Sequence, residues 1–324
     1  MSIGARRGFI VVRLLVLVAA LCSGPAFAIM AGDPAASPAD SPALRVDPNI
    51  ASSPWAGVGS LSVKDGTYSA VAISPHFVLT AAHVVSGAAA SDIVFNLNSS
   101  GDMAYRIPAA ATFVHPLYSG FRKDGIAFND IALVRLSSDL PPVTPTYGLL
   151  SEPADIGAII TLVGYGASGS GVKGISVPAN AAVKRVGQNV IDLFIPAVKR
   201  FEFPKAYLFD FDDPAGRLST MGGRSLGNRR ETTVASGDSG SPAFVNENGR
   251  WLVAGINTFQ LSQPHGAVPP LFGSVAGGMW VPAYTSWINQ VMAAPLEKET
   301  QSGYVWLVGF AALLGGFGLR KDRS

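Results

Sequence analysis

A chain of 324 residues, 48% hydrophobic and only 14% charged, carries ample apolar material for one or two packed domains. A formal net charge of +2 with no long basic run excludes recognition of nucleic acid by charge. The 36 glycines and 23 prolines suggest many turns and short strands, and the single cysteine, Cys22, excludes a disulfide framework, so stability rests on the core.

At the amino terminus, Arg6 and Arg7 precede an apolar stretch from Phe9 to Leu21, and Ala26-Phe27-Ala28 supplies the small residues of a cleavage site. This pattern predicts a signal peptide over residues 1–28 that takes Cys22 with it. The apolar stretch is short for an uncleaved anchor. Residues 33–54, rich in Ala, Pro, Asp and Ser and without periodicity, predict an irregular insertion over the surface.

From Trp55 the chain reads as short strands broken by turns: Gly57 to Val63, Thr67 to Ile73, Phe77 to Thr80, Ile93 to Leu97, Ala109 to Val114 and Ile131 to Leu136. Lys64-Asp65-Gly66 is a hairpin signal. His76 sits in a Ser-Pro-His turn, and His83 ends the run Leu79-Thr80-Ala81-Ala82-His83. Asp130 opens Asp130-Ile131-Ala132-Leu133-Val134. Pro141, Pro142 and Pro145 mark a crossing segment between two halves, about 55–145 and about 151–281.

The second half opens on an apolar run ending Val163-Gly164-Tyr165-Gly166, followed by a Gly/Ser loop from Ala167 to Gly174. Strands are predicted at Ala182 to Val186, Val190 to Ile195, Ala206 to Phe209, Ala243 to Val245 and Trp251 to Thr258. Asp210-Phe211-Asp212-Asp213 invites a calcium reading, but three acids lack the loop geometry of a dedicated site, so a solvated loop is predicted. Tyr284, Trp287, Ile288 and Val291 fall at helical spacing and predict an amphipathic helix over 282–293.

Residues 236–242, Ser236-Gly237-Asp238-Ser239-Gly240-Ser241-Pro242, carry the chemical signal. A serine hydroxyl is a poor nucleophile alone, so Ser239 needs a base and an oxyanion site. Glycines on either side allow a tight turn that bares the hydroxyl and turns backbone N–H groups towards a reacting oxygen. His83 can take the serine proton, and a buried Asp130 can fix the imidazole tautomer. Singly, each feature has a plain alternative: a surface turn, a core histidine, the entry to a strand. A nucleophile elbow is ruled out, because Ser241 stands where it needs glycine and its acid and histidine must follow the serine. Only Glu247 and then His265 follow Ser239 in that way. A Gly-Asp-Ser esterase is ruled out by the absence of an Asp-x-x-His near the end.

Taken together, His83, Asp130 and Ser239 in that order resemble the trypsin/chymotrypsin-like serine proteases over roughly residues 29–294. The resemblance implies an all-β fold of two six-stranded antiparallel β-barrels with a carboxy-terminal helix and the site between the barrels. It implies a serine endopeptidase acting on protein or peptide substrates, a His83-Asp130-Ser239 triad, and an oxyanion hole from the N–H groups of Gly237 and Ser239. Ile29-Met30-Ala31-Gly32 looks like the Ile-Val-x-Gly terminus of active members, whose ammonium pairs with the aspartate before the nucleophile, here Asp238. Gly164-Tyr165-Gly166 is similar to the family's Gly-Trp-Gly. His115-Pro116-Leu117-Tyr118 resembles an interstrand loop in which His115 is exposed and not catalytic. Ser286-Trp287-Ile288 resembles the docked terminal helix. Thr233 falls at the floor of the specificity pocket and lacks the acid that a Lys/Arg preference needs. Thr258, Phe259 and Gln260 resemble the substrate-pairing strand. Gln260, in a glycine place, would narrow the pocket towards small or medium uncharged side chains. No cofactor or metal is implied.

Residues 295–302 read as a polar linker. Residues 303–319 run without charge before Arg320, Lys321 and Arg323, an apolar helix just long enough to span a bilayer. This tail resembles bacterial carboxy-terminal sorting signals, or is a plain single-pass anchor. With the leader it predicts export to a bacterial cell envelope or the extracellular space, and a monomer is expected. The rival from another class is a cell-surface binding module on a protease fold without catalysis.

Overall fold

The computed structural model describes residues 29–152, 154–195, 203–261 and 270–294. The predicted leader, the linker and tail after 294, and His265 lie outside the described residues. Among those described, no helix is long and apolar enough to cross a membrane.

The chain is mostly β with few helices. Strands β1 (Val58–Val63), β2 (Gly66–Ser74), β3 (Phe77–Thr80), β4 (Ile93–Leu97), β5 (Tyr105–Val114) and β6 (Ala132–Leu136) close into a barrel in the order β1-β2-β3-β6-β5-β4. Val58, Leu61, Val71, Val78, Leu79, Phe95 and Leu133 are fully buried and fill it. Closure leaves no unpaired edge in this half. A four-residue helix, α1 (Ala82–Val85), leaves the end of β3 and carries His83.

The second half holds β7 (Gly148–Leu149), β8 (Ile159–Gly164), β9 (Ser168–Ser170), β10 (Gly174–Val177), β11 (Arg185–Val190), β12 (Leu193–Ile195), β13 (Ala206–Asp210), β14 (Pro242–Glu247), β15 (Arg250–Leu261) and β16 (Val275–Trp280). The main sheet runs β11-β8-β14-β15-β16-β13-β12, β7 joins β15 in parallel, and β9 and β10 form a separate hairpin. A 3-10 turn (Val281–Tyr284) then leads into α2 (Thr285–Ala293).

The expected second closed barrel is an open sheet by its hydrogen-bond ladder among the described residues. A side-chain amide and a backbone bond bridge the two ends instead. Asn189 donates Nδ2 to Asp210 O at 2.7 Å and to Thr232 O at 2.6 Å, and Asp192 donates its N–H to Leu208 O at 3.0 Å. A side-chain amide thus takes the place of strand pairing where β11 turns into β12.

The 33–54 segment is irregular, as expected, yet its charged residues point inwards. Asp40 and Arg45 are 1% and 5% exposed. Arg45 donates Nε to Asp40 Oδ2 at 2.9 Å, Nη2 to Glu231 O at 2.9 Å and Asn228 O at 3.1 Å, and Nη1 to Arg230 O at 3.1 Å. Asn228 in turn donates Nδ2 to Asp33 O and Pro38 O, both at 2.8 Å. The segment therefore clamps residues 228–231, which lead directly to the serine loop.

Two corrections concern His115 and the run from Asp210 to Asp213. His115 is half-buried, packed edge-on against Tyr284 and Trp287 of the closing turn and helix, with ring centroids at 5.3 and 4.9 Å. Burial, then the nearby Lys205 charge, lowers its pKa to about 4. The Asp210-Phe211-Asp212-Asp213 run is buried, where a solvated loop was predicted. The Asp210 carboxylate accepts the N–H groups of Thr220 and Met221, and that of Asp213 accepts Leu218 N–H at 2.7 Å and Arg217 Nε at 3.3 Å. These acids organise the long loop from 211 to 231. Burial, followed by the neighbouring Asp210 charge, raises Asp212.

Two substitutions test how the halves are held. Asp40→Ala strands the Arg45 guanidinium in a buried site, and urea unfolding should show a loss of about 3–5 kcal/mol. Gly240 has φ of +83°, and a Cβ there would lie 2.0 Å from Thr80 Oγ1 and 2.3 Å from Ser69 O. Gly240→Ala should lower stability by at least the roughly 1–3 kcal/mol of a left-handed backbone alone, again read from the unfolding midpoint.

Candidate active site

The site forms where the first barrel faces the turn between Ala235 and Pro242. β3 delivers α1 and His83, and the loop ahead of β6 delivers Asp130. Asn129, at φ of +59°, turns the chain so that the next residue points inwards. Its own amide donates to Leu117 O at 3.0 Å. Asp130 is fully buried and accepts twice from His83: the backbone N–H to Oδ1 at 2.8 Å and Nδ1 to Oδ2 at 2.7 Å. Two bonds to one carboxylate fix both the ring's position and its tautomer, with Nδ1 protonated and Nε2 free to accept.

His83 Nε2 lies 2.8 Å from Ser239 Oγ. His83 is therefore within hydrogen-bonding range of both Asp130 and Ser239, which lie 47 and 156 residues further along the chain. The His83 side chain is 19% exposed, so the reacting end of the ring faces the cleft while Asp130 is shielded.

Gly237 at φ of +87° and Gly240 at +83° turn the backbone through conformations that a side chain resists. Inside this loop Asp238 donates its N–H to Ala235 O, Ser241 to Asp238 O and Gly240 to Asn257 O. The N–H groups of Gly237 and Ser239 take no part in those bonds.

Asp238 points the other way, into the protein, and is fully buried. It accepts Ala235 N–H at 3.0 Å, Gly166 N–H at 3.2 Å and the N–H of Ile29. Burial pushes its carboxyl well above the ordinary carboxylate range against the pull of those bonds and of Arg185. A positive charge at Ile29 N would relieve that cost. Ile29 is itself fully buried among Leu162, Tyr207 and Trp280, worth about 1.5–3 kcal/mol of apolar transfer. Met30 and Ala31 extend the docking, donating their N–H groups to Thr233 O and Gly169 O, both at 2.9 Å.

The cleft of about 520 Å³ is lined by His83, Phe121, Gly125, Val234 to Ser236, Asp238, Ser239 and Asn257 to Gln260. Thr258, Phe259 and Gln260 thus border it as the sequence suggested. Thr233 does not: it is fully buried below the lining residues, with its carbonyl occupied by Met30.

Three contributors were not singled out by the sequence. Ser69 of β2 donates its N–H to Ser239 O at 3.0 Å and its hydroxyl to Gly237 O at 3.2 Å. Asn257 of β15 donates Nδ2 to Ser241 Oγ at 2.9 Å and accepts the Tyr207 hydroxyl at 2.7 Å. Both are small polar residues inside strands, which local patterning reads as neutral. Phe121, 53% exposed with its ring centroid 5.3 Å from that of His83, had a weak signal: an aromatic in a Ser-Gly loop.

Against known proteins, the Trypsin family model matches residues 46–192. That span holds His83 and Asp130 and stops short of Ser239. The chain is 29% identical over 192 residues to Brachyurin of Leptuca pugilator, a match covering 58% of this chain and 73% of that protein. These similarities support a serine-protease-type hydrolase with protein or peptide substrates.

Proposed function

We propose that this chain is a trypsin-like serine endopeptidase. The observation that carries the reading is the pair of contacts at His83, 2.8 Å to the Ser239 hydroxyl and 2.7 Å to the buried Asp130, at the wall of an open cleft.

In this mechanism Ser239 Oγ attacks a peptide carbonyl carbon while His83 Nε2 accepts the hydroxyl proton. The carbonyl oxygen becomes an oxyanion between the N–H groups of Gly237 and Ser239, and losing one such donor costs about 2.7–4 kcal/mol of barrier lowering. Asp130 stays ionised and stabilises the imidazolium. The His83 proton passes to the leaving amine as the C–N bond breaks, which leaves an ester on Ser239. Water, deprotonated by His83, then cleaves that ester and restores the hydroxyl.

We further propose export, with residues 1–28 removed and Ile29 as the new terminus, and envelope attachment of a monomer through 303–319. A free Ile29 ammonium would meet Asp238 and turn its buried carboxyl into a paired carboxylate. Signal cleavage would then be the activating step. Amino-terminal sequencing of the exported protein should begin at Ile29, and a start further downstream would refute this route.

Ser239→Ala should lower kcat by about 10⁶-fold while the unfolding curve stays within about 0.5 kcal/mol of the parent. A fluorophosphonate should label the parent at Ser239 and leave the variant unmarked. No labelling of the parent would instead favour a binding module without catalysis.

A further inference from the structure

We infer that Arg185 is a built-in counter-charge for Asp238, holding the serine loop in place before Ile29 has a free amino group. This rests on the peptidase reading above and deepens it by naming a positioning residue for Ser239.

Three cationic side chains are buried among the described residues: Arg45, Lys184 and Arg185. A buried charge requires an opposite one. Arg45 has Asp40, with Nε 2.9 Å from Oδ2, and Lys184 has Asp47, with Nζ 3.0 Å from Oδ2. Arg185 has no such contact among the described residues. Its Nε donates to Pro42 O at 3.3 Å, and its Nη1 is buried without a hydrogen-bond partner. The carboxylate that acts on it is Asp238. That charge opposes the effect of burial on Arg185, and Arg185 draws down the Asp238 carboxyl that burial pushes up.

Strand register accounts for the pairing. Arg185 opens β11 directly opposite Gly164, the last residue of β8. Residues directly opposite in an antiparallel pair project from the same face of the sheet. On that face Gly164 has no side chain, and Asp238 takes up the space: a Cβ built at Gly164 would fall 2.0 Å from Asp238 Oδ1. Arg185 therefore leaves the sheet on the side where the carboxylate lies.

Ile29 follows Ala28 in this chain, so the donor it offers to Asp238 is a neutral peptide N–H. The loop is assembled around that neutral donor. Asp238 accepts Ala235 N–H at 3.0 Å and Gly166 N–H at 3.2 Å, and the next residue places its Oγ 2.8 Å from His83 Nε2. An ionised carboxylate binds such donors roughly twice as strongly as a neutral acid. A cation that favours the ionised form thus tightens the bonds that pin the turn carrying Ser239. Arg185 supplies that bias in the uncut chain, and an Ile29 ammonium adds to it. Cleavage then raises activity from a measurable base.

The test uses the full chain with a cleavable tag inserted between Ala28 and Ile29, compared before and after the tag is cut away to leave Ile29 first. The readout is the rate of fluorophosphonate labelling at Ser239, with the unfolding midpoint as a check on folding. The uncut parent should label at no less than about a tenth of the rate of the cut parent. Arg185→Gln should slow the uncut form by at least about tenfold and leave the cut form within about threefold of its parent, since the ammonium then replaces the lost charge. Arg185→Lys keeps the charge, and its uncut form should stay within about threefold of the uncut parent. Arg185→Met carries the comparison if the Gln variant fails to fold. An equal loss in both forms marks Arg185 as merely structural and overturns the inference, as does an uncut Arg185→Gln that labels like its parent. Labelling of the cut parent alone also sinks the role of Arg185 and leaves the peptidase reading standing. No labelling of either parent form sinks that reading and this inference with it.

Discussion

Ser69 ties the two halves together beside His83 and Ser239. Its N–H reaches Ser239 O and its hydroxyl reaches Gly237 O, while the same hydroxyl accepts Tyr165 N–H at 3.1 Å and its carbonyl accepts the Thr80 hydroxyl at 2.9 Å. Thr80 ends β3, three residues before His83. One strand residue of the first barrel thus fixes the end of the strand that leads to His83 and the loop that carries Ser239. Reaction geometry tolerates errors of about half an ångström. A side chain shared by both partners meets that tolerance better than two loops tethered separately.

The second constraint comes from the amino-terminal segment. It runs from Ile29 beneath Asp238, past Thr233, and round to Arg45, which holds the carbonyls of Asn228, Arg230 and Glu231. The chain from 228 to 239 is therefore gripped along its length by a segment nearly two hundred residues away in sequence. Thr233 serves this grip, and its place beneath the cleft follows from that duty. The residue that borders the cleft there is Val234, whose carbonyl takes the Gln260 amide.

How much of this could be read from the sequence depended on how local the determinants are. Phe77–Thr80 and Ile93–Leu97 match the predicted strands residue for residue, because turn residues bracket each apolar run. β5 starts at Tyr105, four residues before the predicted Ala109, since Pro108 reads as a breaker; the strand accommodates it next to a bulge at Ala109 and Ala111. β16 was missed because Gly277-Gly278 reads as a turn. The glycines are there because neighbouring backbone leaves no room for a Cβ, with Tyr207 O and Ile256 O at 2.2 and 2.0 Å. β9 falls inside the predicted Gly/Ser loop from Ala167 to Gly174, and β10 starts at its last residue; the hairpin gains its partner only when Ala31 docks beside Ser170. The meeting of His83, Asp130 and Ser239 is legible because each stands in surroundings that the resemblance matches. Ser69 and Arg45 were not, because their roles exist only once distant segments meet.

The chain from 29 onwards has no cysteine, so its long-range ties are hydrogen bonds and buried charges. Arg45 to Glu231 closes 186 residues, Asn228 to Asp33 closes 195, and Lys184 to Trp55 closes 129. A disulfide would restrict the unfolded chain as well as the folded one. These ties restrict only the folded state, and each buried charge among them has its hydrogen bonds met by carbonyls or a carboxylate: Lys184 Nζ pairs with Asp47 at 3.0 Å and with Trp55 O at 2.9 Å. Their worth therefore depends on every partner being in place at once, since a half-formed set leaves a charge desolvated and unpaired. Such a fold gains little from partial assembly. The same cooperativity that holds the barrel and the sheet together also holds His83 against Ser239.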